Sequence, residues 1–213
     1  MRHSDEWRPG TLLAAAWVAS AFLGSTAALA DGKALFAACT ACHDAHDEGM
    51  PATGAPNIAG AQAWYVERQL ANFATGVRGA QPGDSYGATM KAGSAVLTSD
   101  GDRRAVAAYV AALPRTRAAA PPSPVTENGR NYFNAICSAC HGSNGFGNEA
   151  LAAPRLAGLP AAYAARQFAA FKSGRRGAQP GDRFGAQMRA VTAMLPDVRT
   201  EQDVIAYAAS LPP

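Results

Sequence analysis

Two pentapeptides of one pattern, Cys39-Thr40-Ala41-Cys42-His43 and Cys137-Ser138-Ala139-Cys140-His141, stand 98 residues apart, and each histidine is followed 47 residues later by a methionine, Met90 or Met188. This spacing limits what the chain can fold around. Two thiols three positions apart can form thioethers to the two vinyl groups of one haem, and the adjacent imidazole then lies under the iron. The second axial ligand comes from elsewhere in the chain. A methionine thioether is soft and uncharged, favours ferrous over ferric iron and so raises the reduction potential. The pattern predicts two covalently bound haem c groups, anchored by Cys39, Cys42, Cys137 and Cys140. The iron ligands expected are His43 with Met90 and His141 with Met188.

Other uses of paired cysteines fit less well. Zinc ligand pairs usually lie closer in sequence and require neither a histidine after each pair nor a methionine at a fixed offset. A dithiol redox pair belongs in a strand-rich βαβ context, and this chain has negligible strand signal. Structural disulfides fail on number, because the chain has four cysteines and the two motifs use them all.

The repeat extends beyond the motifs. A register of 98 runs without a gap from Cys39 to Pro114 against Cys137 to Pro212, pairing Pro56 with Pro154, Gly60 with Gly158, Arg68-Gln69 with Arg166-Gln167, Phe73 with Phe171 and Tyr109 with Tyr207. One domain has been duplicated. The expected domains are 31–117 and 125–213, joined by a proline-rich, extended linker at 118–124. Ahead of them, Arg2 and Arg8 precede an apolar run from Thr11 to Gly24, and Ala28-Leu29-Ala30 offers small residues to a signal peptidase. Residues 1–30 are therefore expected to be an export signal, with the mature chain starting at Asp31. The run is short for a membrane span.

Each unit has only about 90 residues, near the size at which an apolar core alone is marginal, so the haem is expected to supply much of the interior. The fold class expected is all-α. In each copy a first helix (Gly32 to Cys39, Gly129 to Cys137) points Phe36 or Tyr132-Phe133 inward, and a short turn carries the histidine. A helix from Ala63 to Thr75 sets Val66, Leu70 and Phe73 on one face, with a partner from Ala161 to Ser173 carrying Phe168 and Phe171. The last helix is expected to open at Ser99 with Asp102, or Thr200 with Asp203, and to end at Leu113-Pro114 or Leu211-Pro212. The glycines from Gly76 to Gly87 and from Gly174 to Gly185 predict long flexible loops that return each methionine to its haem.

These residues resemble two class I cytochrome c domains in tandem, and the order, linker and leader resemble the di-haem cytochrome c4 family over nearly all of residues 31–213. The resemblance implies His43 and His141 as proximal ligands, Met90 and Met188 as distal ligands, and the carbonyls of Pro56 and Pro154 as acceptors for the histidine Nδ1 protons. Such a hydrogen bond fixes the tautomer and strengthens the ligand. The resemblance also implies a periplasmic shuttle that takes single electrons from a quinol-oxidising complex to a terminal oxidase. The alternative is a di-haem subunit that accepts electrons from a periplasmic dehydrogenase, such as a sulfide-oxidising flavoprotein.

The remaining candidates are subordinate. His46 follows His43 on the proximal side and reads as a solvent-facing loop residue. Met50 breaks the repeat, and Met194 faces Val96 in the other copy, which makes it a weaker ligand candidate than Met188. Arg78 and Arg176 suit either haem propionates, as planar guanidinium donors, or a solvated loop. Tyr65 and Tyr163 suit either a propionate or helix packing. Residues 31–120 hold eight basic and eight acidic side chains, and residues 121–213 hold nine and six, a surplus of +3 in the second domain. Lys172, Arg175, Arg176, Arg183 and Arg189 crowd the segment around Met188, either as a solvated loop or as a docking patch. A negatively charged redox protein or an anionic membrane surface suits this balance, and nucleic acid does not. With both axial positions filled, neither iron offers a site to a substrate, so a one-electron carrier is expected and not an enzyme.

Overall fold

The computed structural model describes residues 31–43, 50, 53–115 and 124–212. The expected export signal, His46 and nearly all of the linker lie outside the described residues. The first unit runs α1 (31–36), a 3-10 turn at Ala37–Cys39, α2 (Thr40–His43), α3 (Ala63–Ala74), α4 (Ser85–Ser94) and α5 (Asp100–Ala112). The second repeats it as α6 (Glu127–Tyr132), a π-helical turn at Phe133–Cys137, α7 (Ser138–His141), α8 (Ala161–Lys172), α9 (Arg183–Thr192) and α10 (Val198–Ser210). Among the described residues extended pairing is confined to two isolated bridges, Met50 with Ala55 and Asn148 with Ala153. The all-α expectation holds.

Each unit is built on the crossing of its first and last helices. Phe36, Leu70, Leu97, Val106 and Val110 form the first core, with Cys39 and Met90 packed on its edge. Phe133, Leu195, Val204 and Ala208 form the second, edged by Cys137 and Phe168. Phe36 tilts against Tyr109 at 5.4 Å between ring centroids, and Phe133 against Tyr207 at 5.3 Å. At the crossings Gly32 lies against the carbonyl of Ala105 and Gly129 against that of Asp203, so closely that a Cβ at either glycine would overlap backbone. Backbone cannot rotate away as a side chain can. Gly129→Ala is expected to destabilise the second unit by about 3 kcal/mol, the upper part of the range for overpacking, measured by thermal denaturation.

The equivalent pairs Gly32 and Gly129, and Phe36 and Phe133, are 97 residues apart, whereas the cysteines are 98 apart. The second copy therefore carries one extra residue between its core phenylalanine and its first cysteine. It is absorbed by winding: the first copy tightens into the 3-10 turn and the second widens into the π turn. Both cysteine pairs then enter a short helix ending on the histidine.

Two sequence expectations need correction. The last helix of the second unit is capped by Asp197, whose carboxylate accepts from the N–H of Thr200 at 2.7 Å, and not by Thr200 itself. Asp197 is the 98-residue counterpart of Ser99, which accepts from Asp102 N–H at 3.0 Å, so the cap position and its N–H partner keep the repeat while the residue types change, Ser99 with Asp102 in the first unit and Asp197 with Thr200 in the second. The methionines lie on helices, α4 and α9, and not on flexible loops. Asp84 and Asp182 cap these helices through the N–H groups of Gly87 and Gly185 at 3.0 and 2.9 Å, and the carboxylates come so close that a Cβ on either glycine would overlap them. These glycines mark close packing where the sequence suggested flexibility.

Candidate functional site

Helices α2 and α7 place His43 and His141 at their last positions, 4% and 8% exposed. The Nδ1 of His43 lies 2.9 Å from the carbonyl oxygen of Pro56, and that of His141 lies 2.7 Å from the carbonyl oxygen of Pro154. A carbonyl only accepts, so Nδ1 carries the proton and Nε2 keeps its lone pair for a metal. Burial lowers the pKa of His141, against a smaller opposing effect of the Pro154 carbonyl, and so favours the neutral ring that ligation requires. Burial, and then the neighbouring Cys140, push the Cys137 thiol up to about 11, which does not suit a reactive dithiol.

Met90 and Met188 are half-buried, on α4 and α9. Met194 is 61% exposed beyond the end of α9, and Val96, its counterpart, is 53% exposed. Met194→Leu is expected to leave the absorption band that reports sulfur ligation unchanged in both haems, and loss of that band from one haem would reassign the second ligand.

The arginines expected at propionates meet each other between the two units. Arg78 donates to Gln69 Oε1 at 2.8 Å and to Gln167 Oε1 at 2.9 Å, while Arg176 donates to Gln167 Oε1 at 2.6 Å and to Gln69 Oε1 at 3.1 Å. Each glutamine oxygen thus serves both guanidinium groups. Arg78 also lies over Phe73 at 4.6 Å and Arg176 over Phe171 at 4.2 Å. Around this centre Arg68 crosses to the carbonyl of Ala152 at 2.9 Å and Arg166 to that of Gly54 at 2.7 Å, covering Phe184 and Tyr86 respectively. Every contact in this set has a partner 98 residues away, so the face between the units has a local two-fold symmetry.

Two adjacent guanidinium groups with neutral acceptors are under-compensated in charge. Among the described residues neither Arg78 nor Arg176 has a carboxylate ion-pair partner, and the Nε of Arg78 is buried without a hydrogen-bond acceptor. Burial, and then the charge on Arg78, lower the pKa of Arg176. Burial, the largest single influence, would raise the pKa of Tyr65, but the charges of Arg176, Arg78 and Arg68 together with a hydrogen bond from Arg176 lower it overall. Haem propionates carry the anionic charge that this centre lacks, so the residues present fit the group. The basic segment around Met188, in turn, is partly consumed. Arg176 is buried, Lys172 pairs with Glu201, and Arg175 donates to the carbonyl of Gly83 in the first unit.

Gln69, Gln167, Arg68 and Arg166 were not singled out by the sequence reading as functional. The repeated Arg-Gln dipeptide at 68–69 and 166–167 was the one signal available for the central four.

Two helical units, each with a Cys-x-x-Cys-His motif at the end of its second short helix, define a di-haem c-type cytochrome. The family model described as Cytochrome c matches residues 29–114 and again 126–211. The thiosulfate dehydrogenase electron acceptor of Stutzerimonas stutzeri (strain A1501) is 34% identical over 83% of this chain and 87% of its own length. Cytochrome c4 of Azotobacter vinelandii is 34% identical over 79% of this chain and 81% of its own length. Among solved structures, reduced recombinant cytochrome c4 from Pseudomonas stutzeri superposes with a TM-score of 0.64 at 28% identity, covering 84% of this chain and 95% of that one. The thiosulfate dehydrogenase TsdBA from Marichromatium purpuratum superposes with a TM-score of 0.69 at 30% identity over 86% of this chain, which spans only 40% of that larger protein. The chain belongs to the cytochrome c family, in the tandem di-haem group of cytochrome c4, and carries two covalently bound haem c groups at Cys39/Cys42 and Cys137/Cys140. It is an electron-transfer protein.

Proposed function

We propose that the protein is a periplasmic carrier that takes single electrons from a quinol-oxidising complex and delivers them to a terminal oxidase. The observation that carries this reading is the matched pair of histidines, each with Nδ1 held on a proline carbonyl and each with a methionine 47 residues on. Haem c, bound in this way, supplies reversible one-electron exchange. His43 and Met90 would hold the first iron and His141 and Met188 the second, leaving no coordination position for a substrate. The cysteine pairs fix each macrocycle, and Arg78 and Arg176 offer donors to its carboxylates at the face between the units. Residues 31–117 and 125–213 would be the two carrier domains, delivered through export directed by residues 1–30. Among the described residues no helix is long and apolar enough to cross a membrane.

A second reading, that the donor is a periplasmic dehydrogenase, is favoured by the thiosulfate dehydrogenase electron acceptor among the relatives. One experiment separates them. The purified protein, oxidised and carrying two haems per chain, is mixed with a quinol-oxidising complex and quinol, or with a thiosulfate dehydrogenase and thiosulfate, and its reduction is followed optically. Reduction at a turnover-competent rate only by the first pair supports the quinol route, and only by the second supports the dehydrogenase route. Recovery of one haem per chain, or of haem that extracts freely into acid-acetone, would sink both.

A further inference from the structure

The helix that carries Met188 has an exposed outer side. Along α9, Arg183, Ala186, Ala190 and Ala193 follow at the i, i+3, i+7 and i+10 spacing of one helix face. Ala186, Arg189, Ala190 and Ala193 line an open hollow of about 320 Å³, with Lys172 from the end of α8 on its rim. Past α9 the chain exposes Met194 and Val198, and Arg199 follows in the first turn of α10. Val198 lies one turn from Glu201, which reaches Lys172, so this apolar pair borders the hollow. Met188 is on the inward side of the same helix, with the buried Gly185 and Thr192 at i−3 and i+4.

Most of the charge on this side belongs to the second unit alone. Across the 98-residue repeat, Lys172, Arg175, Arg183 and Arg199 stand where the first unit has Ala74, Val77, Ser85 and Gly101. The cation at 189 is shared, as Lys91, and both lie against the glycine turn that ends the preceding helix, Gly174 or Gly76, where a positive charge suits the helix's carbonyl end. Lys172 is paired with Glu201, and Arg175 is turned to Gly83. Arg183 and Arg199 have no such use. Both are exposed in the first turn of a helix, where the partial positive charge of the N-terminus disfavours a cation. Among the described residues neither has a carboxylate within ion-pair distance, and the nearby Asp197 is taken up by its cap on Thr200. Two arginines that oppose their own helix ends point to a use outside the fold.

We propose that the outer side of α9 and the start of α10 form the surface on which the second unit receives a redox protein with an acidic face, so that electrons cross there through the helix that carries Met188. The inference rests on the carrier reading above and names the partner's chemistry. Arg183 opens α9, a helix about 15 Å long, and Arg199 stands past its other end, so the two bracket the hollow. Their forked guanidinium groups suit carboxylates. Met194, Val198 and the alanines between them supply the apolar centre from which a docked protein excludes water. The first unit lacks this arrangement: Val96 is exposed in the place of Met194, but Ser85 and Gly101 carry no charge, and Asp100 stands in the place of Val198.

The test uses the full haem-loaded chain. Arg183→Gln with Arg199→Gln removes two positive charges, and Ser85→Glu with Gly101→Glu lowers the net charge equally at the matching places of the first unit. Electron exchange with a quinol-oxidising complex, a thiosulfate dehydrogenase and a terminal oxidase is followed optically over a range of salt concentrations, beside reduction by a small neutral hydroquinone. With at least one of the proteins, the glutamine pair is expected to slow exchange on the order of tenfold at low salt and to flatten its salt dependence. The first-unit pair should change that rate less than about twofold, and the hydroquinone rate should hold in every variant. Arg183→Glu with Arg199→Glu should slow exchange further without lowering the unfolding temperature, since an anion suits both helix starts. Met194→Ser should slow the same reaction and keep its salt dependence. Equal loss from both charge pairs, or no loss with any partner that reacts with the unmodified protein, overturns the proposal. So does weaker binding of the glutamine pair to phosphatidylglycerol vesicles with partner rates kept, which would make the occupant an anionic membrane. If no partner reacts with the unmodified protein while hydroquinone reduces both haems, the carrier reading falls and this inference with it.

Discussion

Met188→His is expected to keep the second haem low-spin while lowering its midpoint potential by roughly 0.2 to 0.4 V, a fraction of the ~0.8 V over which axial ligands move haem potentials. The direction follows from ligand softness. Imidazole is harder than a thioether and a better donor to ferric iron, so the oxidised state gains. Position matters as much as chemistry. Met188 lies half-buried on α9, whose start is fixed by the Asp182 cap and by the close fit of Gly185 against it, so the side chain at 188 is delivered by a defined helix. Met90→His should do the same to the first haem through α4. Potentiometric titration with optical detection resolves the shifted step, and the ferric sulfur band should halve. A midpoint left within a few tens of millivolts of the original, with the band intact, would mean that the methionine is not on iron.

Gln69→Leu has the largest expected effect on cohesion. Its Oε1 accepts from Arg78 of its own unit and from Arg176 of the other, so the substitution removes two hydrogen bonds to charged donors at once. Such bonds contribute about 1.5–3 kcal/mol each, and the loss here is about 3–5 kcal/mol because both donors lie in a poorly solvated place. Neither arginine has a carboxylate within ion-pair distance among the described residues. The energy joins the two units more than it holds either one together, since each core lies at its own helix crossing. Calorimetry should therefore show a single cooperative transition in the original protein separating into two in the variant, with the haems still attached. A single transition at an unchanged temperature would show that the arginine-glutamine ring contributes little to coupling.

The parts of the molecule legible in the sequence are those set by local chemistry. Cysteine spacing announced the haems, the apolar spacing of Val66, Leu70 and Phe73 announced α3, and the matched offsets of Met90 and Met188 singled them out from the other methionines. Legibility failed where a residue acts through its fit to something distant in sequence. Gly87 and Gly185 read as flexibility because the carboxylates that crowd them were not recognised as helix caps. The Asp197 cap was hidden because the cap position carries a carboxylate in the second copy where the first has a hydroxyl, so a search for Ser or Thr at the cap went to Thr200. Arg78 and Arg176 were noticed as donors suited to an anion, but their meeting on glutamine oxygens across the units could not be read from either copy alone. The one-residue difference ahead of the cysteines went unread because the register was counted only from Cys39 and Cys137 onward, and the structure shows it as a change in helical winding.

Fusion of the two copies into one chain has a consequence for how the molecule can be tuned. Were the same face formed between two identical chains, each substitution would occur on both sides of the axis, and an arginine at the start of one methionine helix would stand at the start of the other. In a tandem chain each position changes once, so α9 can open on Arg183 while α4 opens on Ser85. Symmetry supplies the adhesion, because the Arg-Gln ring works equally well from either side, and its departure from symmetry gives the molecule a front and a back. A pair of equal halves could meet a partner at either end with equal ease; a linked, unequal pair can favour one end.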